Sequence, residues 1–329
     1  MPSADALMYD TWSVIALWTA ISVYALAFIC YAVDLAKRSE ASIRQKDRQA
    51  QLVGAGGSAA PAELDADGPV PHGKNVMARI GTTLTGIAFL LHLGATVLRG
   101  IGAGRVPWSN MYEFAMTSTL LFTAVYIGVL FWKDLRYLGA FMTGLVTILL
   151  GAASMPTIYT SITPLMDPLK STWLVIHVFV ASLSTAFLAL AFALSVLQLM
   201  QARRERRAVD DPEQAEKRSV LRTMPSAEAL EGLAYRFAII GFIFWTFTLI
   251  AGSIWAQDAW GRYWGFDTKE VWTFIIWVLY AGYIHARATR GWRGTRSAWL
   301  SIVGFIAVIF NFTIVNMFFE GLHAYSGID

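Results

Sequence analysis

Apolar residues in this chain come in long unbroken runs, and the polar ones collect between them. Eight runs approach the ~20 residues that an α-helix needs to cross a bilayer. They are Trp12–Val33, Ile80–Leu98, Tyr112–Phe131, Tyr137–Met155, Trp173–Met200, Leu233–Ile254, Val271–Ala286 and Ser297–Met317. The seventh is short, but Arg287 beyond it can lay its stem along the apolar zone and keep its charge in water. The expected fold is all-α: a polytopic integral membrane protein with about eight transmembrane helices. Residues 1–34 hold the first helix, 35–79 read as a flexible cytoplasmic linker, and 80–329 read as the main membrane domain. The linker opens with a charge run and becomes G-A-G-G-S-A-A-P-A, a composition that builds no core. His72 belongs to it. Gln201–Arg222 reads as a second charged connection, helical in part.

Charge sets the orientation. Of 26 Lys and Arg residues, 21 fall on the face that carries 34–79, the 133–136 turn, 201–236 and 287–296. The other face has only Arg99, Arg105, Lys170, Arg262 and Lys269. The cation-rich side is the cytoplasmic one, so both termini and the loop at 255–272 are expected on the outer face. The chain has 329 residues, 56% hydrophobic and 15% charged, well under the roughly 25% charged of a soluble domain. The net charge of +3 describes loops and gives no argument for nucleic acid. A cleavable signal is not expected, because Asp5 and Asp10 stand where a signal peptide would be basic. The single cysteine, Cys30, lies in the first apolar run and excludes an internal disulfide or a Cys-x-x-Cys pair.

Candidate chemistry gathers on the outer face. The 255–272 loop reads W-A-Q-D-A-W-G-R-Y-W-G-F-D-T-K-E-V-W and holds four of the thirteen tryptophans. An interfacial aromatic belt accounts for scattered tryptophans such as Trp12, Trp108, Trp132, Trp292 and Trp299. It accounts poorly for Trp255, Trp260, Trp264 and Trp272 in one loop, joined by Tyr263 and Phe266. Two further outer segments face the same side: Arg99–Met111, where Asn110 and Glu113 have capping-box spacing, and the proline-punctuated Pro156–Ser171. Among the histidines, His177 lies about one turn inside the outer end of the fifth run, and His323 follows the last. Two neutral imidazoles across an aromatic platform suit the axial positions of a haem iron. Zinc suits them less, for no third ligand is spaced beside either. His92 and His285 lie within spans, where an interhelical hydrogen bond is the plain alternative. Arg99, Arg105, Arg262 and Lys269 are the cations available for haem propionates. The plain alternative for Arg262 is a helical pair with Asp258, and for Asp267 a capping box with Glu270.

At W-G-R-Y-W-G-F-D-T-K-E-V-W the chain resembles the haem-handling family defined by the WWD motif, and within it the membrane subunit of the system II cytochrome c synthase, named CcsA, CcsB or ResC in different lineages. The resemblance extends to P-W-S-N-M-Y-E, W-L-V-I-H-V around His177, Y-I-H-A-R around His285 and N-F-T-I-V-N-M-F-F-E-G-L-H-A-Y-S-G, covering most of the chain from about Ile80. It departs from the family's W-x-W-D-P-K-E at Phe266, which keeps an aromatic face but loses an N–H, and at Thr268.

The resemblance implies that haem b is carried from the cytoplasmic side of a bacterial plasma membrane to an outer site. There it is offered to the Cys-x-x-Cys-His segment of an apocytochrome c. His177 and His323 would be the outer iron ligands, and His285 a ligand within the membrane, with His92 or a partner's histidine opposite it. Trp260, Trp264 and Asp267 would stand nearest the chemistry, with Trp255, Tyr263, Phe266 and Trp272 completing the platform. Implied partners are a ResB/CcsB-type membrane subunit, the apocytochrome and a thioredoxin-like thiol reductant. The other classes are a haem exporter or chaperone without ligase activity, a system I WWD haem protein, and a transporter with an aromatic vestibule and no haem.

Overall fold

The computed structural model describes residues 4–54, 76–210, 220–289, 292–319 and 321–322. All regular structure among them is helical. The long helices are α1 (Ala4–Gly54), α2 (Val76–Ala103), α3 (Met111–Leu130), α4 (Gly139–Ala153), α5 (Thr172–Asp210), α6 (Ala227–Trp260), α7 (Thr268–Ala288) and α8 (Thr295–Phe312). A short α9 (Ile314–Phe318) follows. Seven of the long helices are apolar enough to cross a membrane. The remaining one, α7, has 21 residues, about 31 Å at 1.5 Å per residue, and the Trp, Tyr, His and Arg residues within it lower its mean hydropathy.

Contacts at its two ends show that α7 runs the length of the bundle beside the others. Near its start, Lys269 meets Asn316 of α9. Near its finish, Arg287 pairs with Glu231 of α6 at 2.9 Å, and Glu231 also accepts from the Ser297 hydroxyl of α8. Arg287, expected to reach toward water alone, is thus held by a carboxylate and lies over the Tyr235 ring. Asp10 near the start of α1, which meets Arg99, and Asn316 of α9, which meets Met111, lie at the end of the bundle where α2 gives way to α3.

α1 packs along α2 and on α4, α5 along α6, and α8 on α5 and α7. The periphery carries exposed Leu, Ile and Phe such as Leu26, Leu90, Ile148 and Ile243, the surface that lipid chains cover. Inside are Tyr24, Tyr126, Trp245 and Tyr280, all fully buried. Small residues let α5 and α6 come close. A β-carbon on Gly241 would lie 2.6 Å from Leu188, and Ser184 donates to the Gly241 carbonyl at 2.6 Å.

The first segment expected to be a linker is in part a helix. α1 continues through residues 35–54, for which Ala, Lys, Arg, Gln and Glu are strong formers. Asp34 and Arg38 add an i,i+4 pair at 2.6 Å. His72 lies outside the described residues. At the second charged segment, α5 runs on to Asp210, and a 3-10 turn forms at Val220–Thr223.

Candidate functional site

At the end of the bundle where α6 meets α7, three connections come together. Trp255 Nε1 of α6 donates to the Pro168 carbonyl at 2.9 Å, and Ser171 Oγ donates to Asp258 at 2.9 Å. Arg105 Nη2 reaches the Thr163 carbonyl at 3.3 Å. Asn316 Nδ2 lies 3.8 Å from Met111 Sδ, which brings α9 to the start of α3.

Between α5, α6 and the start of α7 lies an open cleft of about 450 Å³, part of it open to solvent. His177 lines it together with Thr248, Gly252, Trp255, Tyr263, Trp264, Lys269 and Glu270. The His177 ring lies nearly parallel to Trp255, with centroids 5.8 Å apart and planes at 19°. Its Nδ1 is 3.0 Å from the Thr248 carbonyl oxygen. A carbonyl only accepts, so Nδ1 carries the hydrogen and the lone pair of the neutral ring is on Nε2. This is the arrangement by which proteins orient an imidazole for a metal. Gly252 makes room for it: a β-carbon there would lie 2.7 Å from Cε1 and 2.8 Å from Nδ1. Neither Thr248 nor Gly252 is conspicuous in the sequence. Their spacing of four along α6 is the only signal, and it matters only once α5 is known to pack there.

The aromatic residues of the loop divide into two sets. Trp255 is 3% exposed and meets Trp260 edge to face at 4.8 Å, both against the Leu169 and Leu174 cluster. Trp272 packs on Phe310 of α8 at 4.5 Å. Tyr263, Trp264 and Phe266 are instead 61%, 36% and 80% exposed. Trp264 meets Phe266 and Phe274 edge to face. Phe266 has φ +58°, a left-handed conformation that costs an L residue roughly 1–2 kcal/mol. Strain of this kind collects at binding and switch sites.

The loop backbone is held by a carboxylate. Glu270 Oε2 accepts the N–H groups of Gly265 at 2.8 Å and Asp267 at 3.1 Å, and Asp267 completes the capping box of α7. Asp267 and Glu270 are therefore a cap, and Glu270 is also part of the cleft wall. Arg262 does not pair with Asp258, which serves Ser171. Its guanidinium packs over Gly265, where any β-carbon would collide with it, and lies 3.6 Å from Glu270. The positive-φ Gly261 ends α6 and turns the chain into the loop, so Arg262 no longer has a helical i,i+4 geometry.

Other candidate residues are occupied elsewhere. His92 is wholly buried, 2.9 Å from the Met116 carbonyl through Nε2 and edge-on to Tyr24. Arg99 is 0% exposed and bonded to Asp10, Glu113 and the Thr160 carbonyl, while Arg105 binds Glu113 at 2.6 Å. Both arginines are thus paired with carboxylates, Arg99 within the bundle and Arg105 in the connection that follows α2. Lys269 meets Asn316, and its ammonium lies 5.8 Å from the Phe312 ring centroid. His285 is exposed on α7, near the opposite end of the bundle. His323 lies outside the described residues. Leu322 before it is described, and its N–H donates to Asp267 Oδ1 at 3.2 Å.

Known proteins share this sequence and architecture. The cytochrome C assembly protein family matches residues 108–323. A cytochrome c biogenesis protein CcsA of Guillardia theta is 35% identical over 263 residues, spanning 75% of this chain and 85% of that protein. CcsA of Synechococcus sp. (strain CC9902) is 34% identical, over 74% and 85%. CcsA of Mesostigma viride is 32% identical, over 77% and 88%. The solved structure of a cytochrome c heme lyase, CcmF, shares the fold at a TM-score of 0.61 and 16% identity, covering 92% of this chain and 46% of that one. A match over most of the sequence, on a bundle of membrane-crossing helices, places the chain in the CcsA family of cytochrome c assembly proteins.

Proposed function

We propose that the chain presents haem at the His177 cleft, on the outer face of a bacterial plasma membrane, for attachment to an apocytochrome c. The observation that carries this reading is the His177 ring, which lines the cleft, stacks on Trp255 and is oriented through Nδ1 by the Thr248 carbonyl. Tyr263, Trp264 and Phe266 offer exposed aromatic surface for a flat macrocycle. His323, which follows the Asp267-bonded Leu322 in the sequence, would be the second ligand. The face is assigned from the cation count, 21 of 26 lying opposite this end. His285, exposed near the basic end, ligates haem earlier on its route, and its exposure suits a second ligand from a ResB/CcsB-type subunit.

Bound haem supplies the iron and two vinyl groups. At each vinyl a substrate Cys S–H adds across the double bond, sulfur to one carbon and hydrogen to the other, with no net electron transfer. Both thiols belong to the Cys-x-x-Cys-His segment, because the chain's own Cys30 is in α1. What the chain contributes is position. A thioredoxin-like reductant keeps the substrate thiols reduced, and haem lyase activity belongs to the chain with its partner subunit.

The test is replacement of His177 and of His323 by Gly in the full-length protein, with imidazole added back. Cytochrome c production is lost in each and returns with imidazole. Normal production in both without imidazole would overturn the ligand assignment. The absence of a Soret band from wild-type protein after haem feeding would end the haem reading. Haem binding with no attachment, partner subunit present, would leave a haem exporter.

A further inference from the structure

A helix N-cap uses one carboxylate oxygen, and Asp267 has two. Oδ2 faces the first turn of α7, accepting from the Lys269 N–H at 3.4 Å. Oδ1 instead accepts the Leu322 N–H at 3.2 Å, from a segment 55 residues further on. Gly321 lies so close to that oxygen that a β-carbon would collide with it. The same first turn of α7 grips the chain twice more before this point. Lys269 Nζ reaches Asn316 Oδ1 and lies near the Phe312 ring. A C-terminal segment is ordinarily poorly ordered unless something ties it down. Here the ties come from the loop that forms the cleft.

We propose that Asp267 is a positioning residue that caps α7 with one oxygen and latches the 321–322 backbone with the other, fixing where the chain runs into His323. Ordering that segment in advance lowers the entropy lost when an axial ligand is recruited. The glycine at 321 has a specific reason: only a residue without a side chain lets the backbone approach the carboxylate. The proposal rests on the reading of His323 as an outer ligand. It changes the role of Asp267 from a group at the chemistry to one that acts through another residue.

Three variants of the full-length protein separate the latch from the cap. Gly321→Val breaks the contact and leaves the capping box intact. Asp267→Asn keeps a good N-cap but has only one acceptor oxygen, so it caps α7 and loses the latch. Asp267→Ala removes both. In haem-free protein the Leu322 amide exchanges about tenfold faster in all three variants, while α7 keeps its cap in Gly321→Val and Asp267→Asn and loses it in Asp267→Ala. In haem-loaded protein Gly321→Val changes the two-imidazole absorption spectrum to that of a single ligand, and imidazole restores it, as for His323→Gly. Unchanged exchange at Leu322 in Gly321→Val overturns the latch whatever haem does. A wild-type spectrum in Gly321→Val overturns its bearing on the ligand. A wild-type spectrum in His323→Gly removes the ligand and the proposal with it, yet leaves the exchange result standing, so the two failures are told apart.

Discussion

One end of the bundle holds two polar regions built in opposite ways. Around the ends of α1, α2 and α3, Asp10, Arg99, Glu113 and Arg105 form a closed set of two positive and two negative charges. Tyr159 donates to Asp10 at 2.7 Å, and Ser109 gives Glu113 both its N–H and its hydroxyl. Beside it, the 261–267 loop leaves Tyr263, Trp264 and Phe266 open and holds Phe266 in a strained backbone conformation. The first region pairs its charges and seals the connections; the second leaves aromatic surface exposed. A rigid, self-satisfied frame next to an open cleft is the arrangement that preorganised binding requires. The difference also explains why two of the expected propionate cations, Arg99 and Arg105, belong to the frame.

The largest effect comes from breaking the frame. Arg99→Met leaves Asp10 and Glu113 buried without their shared partner, and removing one member of a buried pair costs about 3–5 kcal/mol. Thermal unfolding of purified protein in detergent should show this loss, with low yields from cells. Neutralising the set together in an Asp10→Asn, Arg99→Met, Glu113→Gln protein recovers part of it. A single variant as stable as wild type would mean the network does not carry the frame.

The cleft should respond in the other currency, binding rather than stability. Gly252→Ala puts a β-carbon 2.7 Å from His177 Cε1, so the ring must shift and its bond to Thr248 stretch. Overpacking of this size costs roughly 1–3 kcal/mol, and haem affinity should fall about tenfold for each 1.4 kcal/mol that reaches the ligand. Haem titration checks this. Equal affinity in the variant would show that His177 does not hold the iron. Phe266→Gly should act with mixed sign and smaller size. It relieves the left-handed strain, offset in part by the entropy that glycine loses on folding, a net gain below about 1 kcal/mol. The melting temperature rises slightly while haem retention falls. A fall in both would mean the exposed ring packs against the protein instead of a ligand.

The two regions also differ in how far the sequence discloses them. The eight apolar runs are legible because membrane crossing demands length and hydropathy, and the Asn110–Glu113 and Asp267–Glu270 caps because they are local to four residues. His177 is legible through its position one turn below Trp173. The pairing of Arg99 with Asp10, 89 residues away, has no local signal, and neither has the Leu322 contact with Asp267. Both depend on which helix ends become neighbours. Gly252 reads as one small residue among several on α6 until His177 is seen against it. The helical start of the expected linker was hidden for a different reason. Charged residues suit an exposed helix as well as a coil, and only propensity summed over 35–54 tells them apart.

The smallest effect should appear at the margin of the frame, in its response to alkali. Tyr159 lies in the connection between α4 and α5, where burial and the bond to the Asp10 carboxylate push its hydroxyl up to about 12. An unfolded tyrosine ionises near 10. Between those values the unfolded chain has released the proton and the folded chain has kept it, so the folded state binds more protons and stability falls as pH rises. The stabilisation is full below about pH 10 and lost by about pH 12. Tyr159→Phe has no proton to lose there, so its unfolding midpoint should decline less steeply than that of wild type across this window, though it starts lower for want of the hydrogen bond. Because the ring is only part-buried, water screens the effect and the two curves differ modestly. Parallel curves would mean that Tyr159 joins the connection to α1 without sharing in its charge balance.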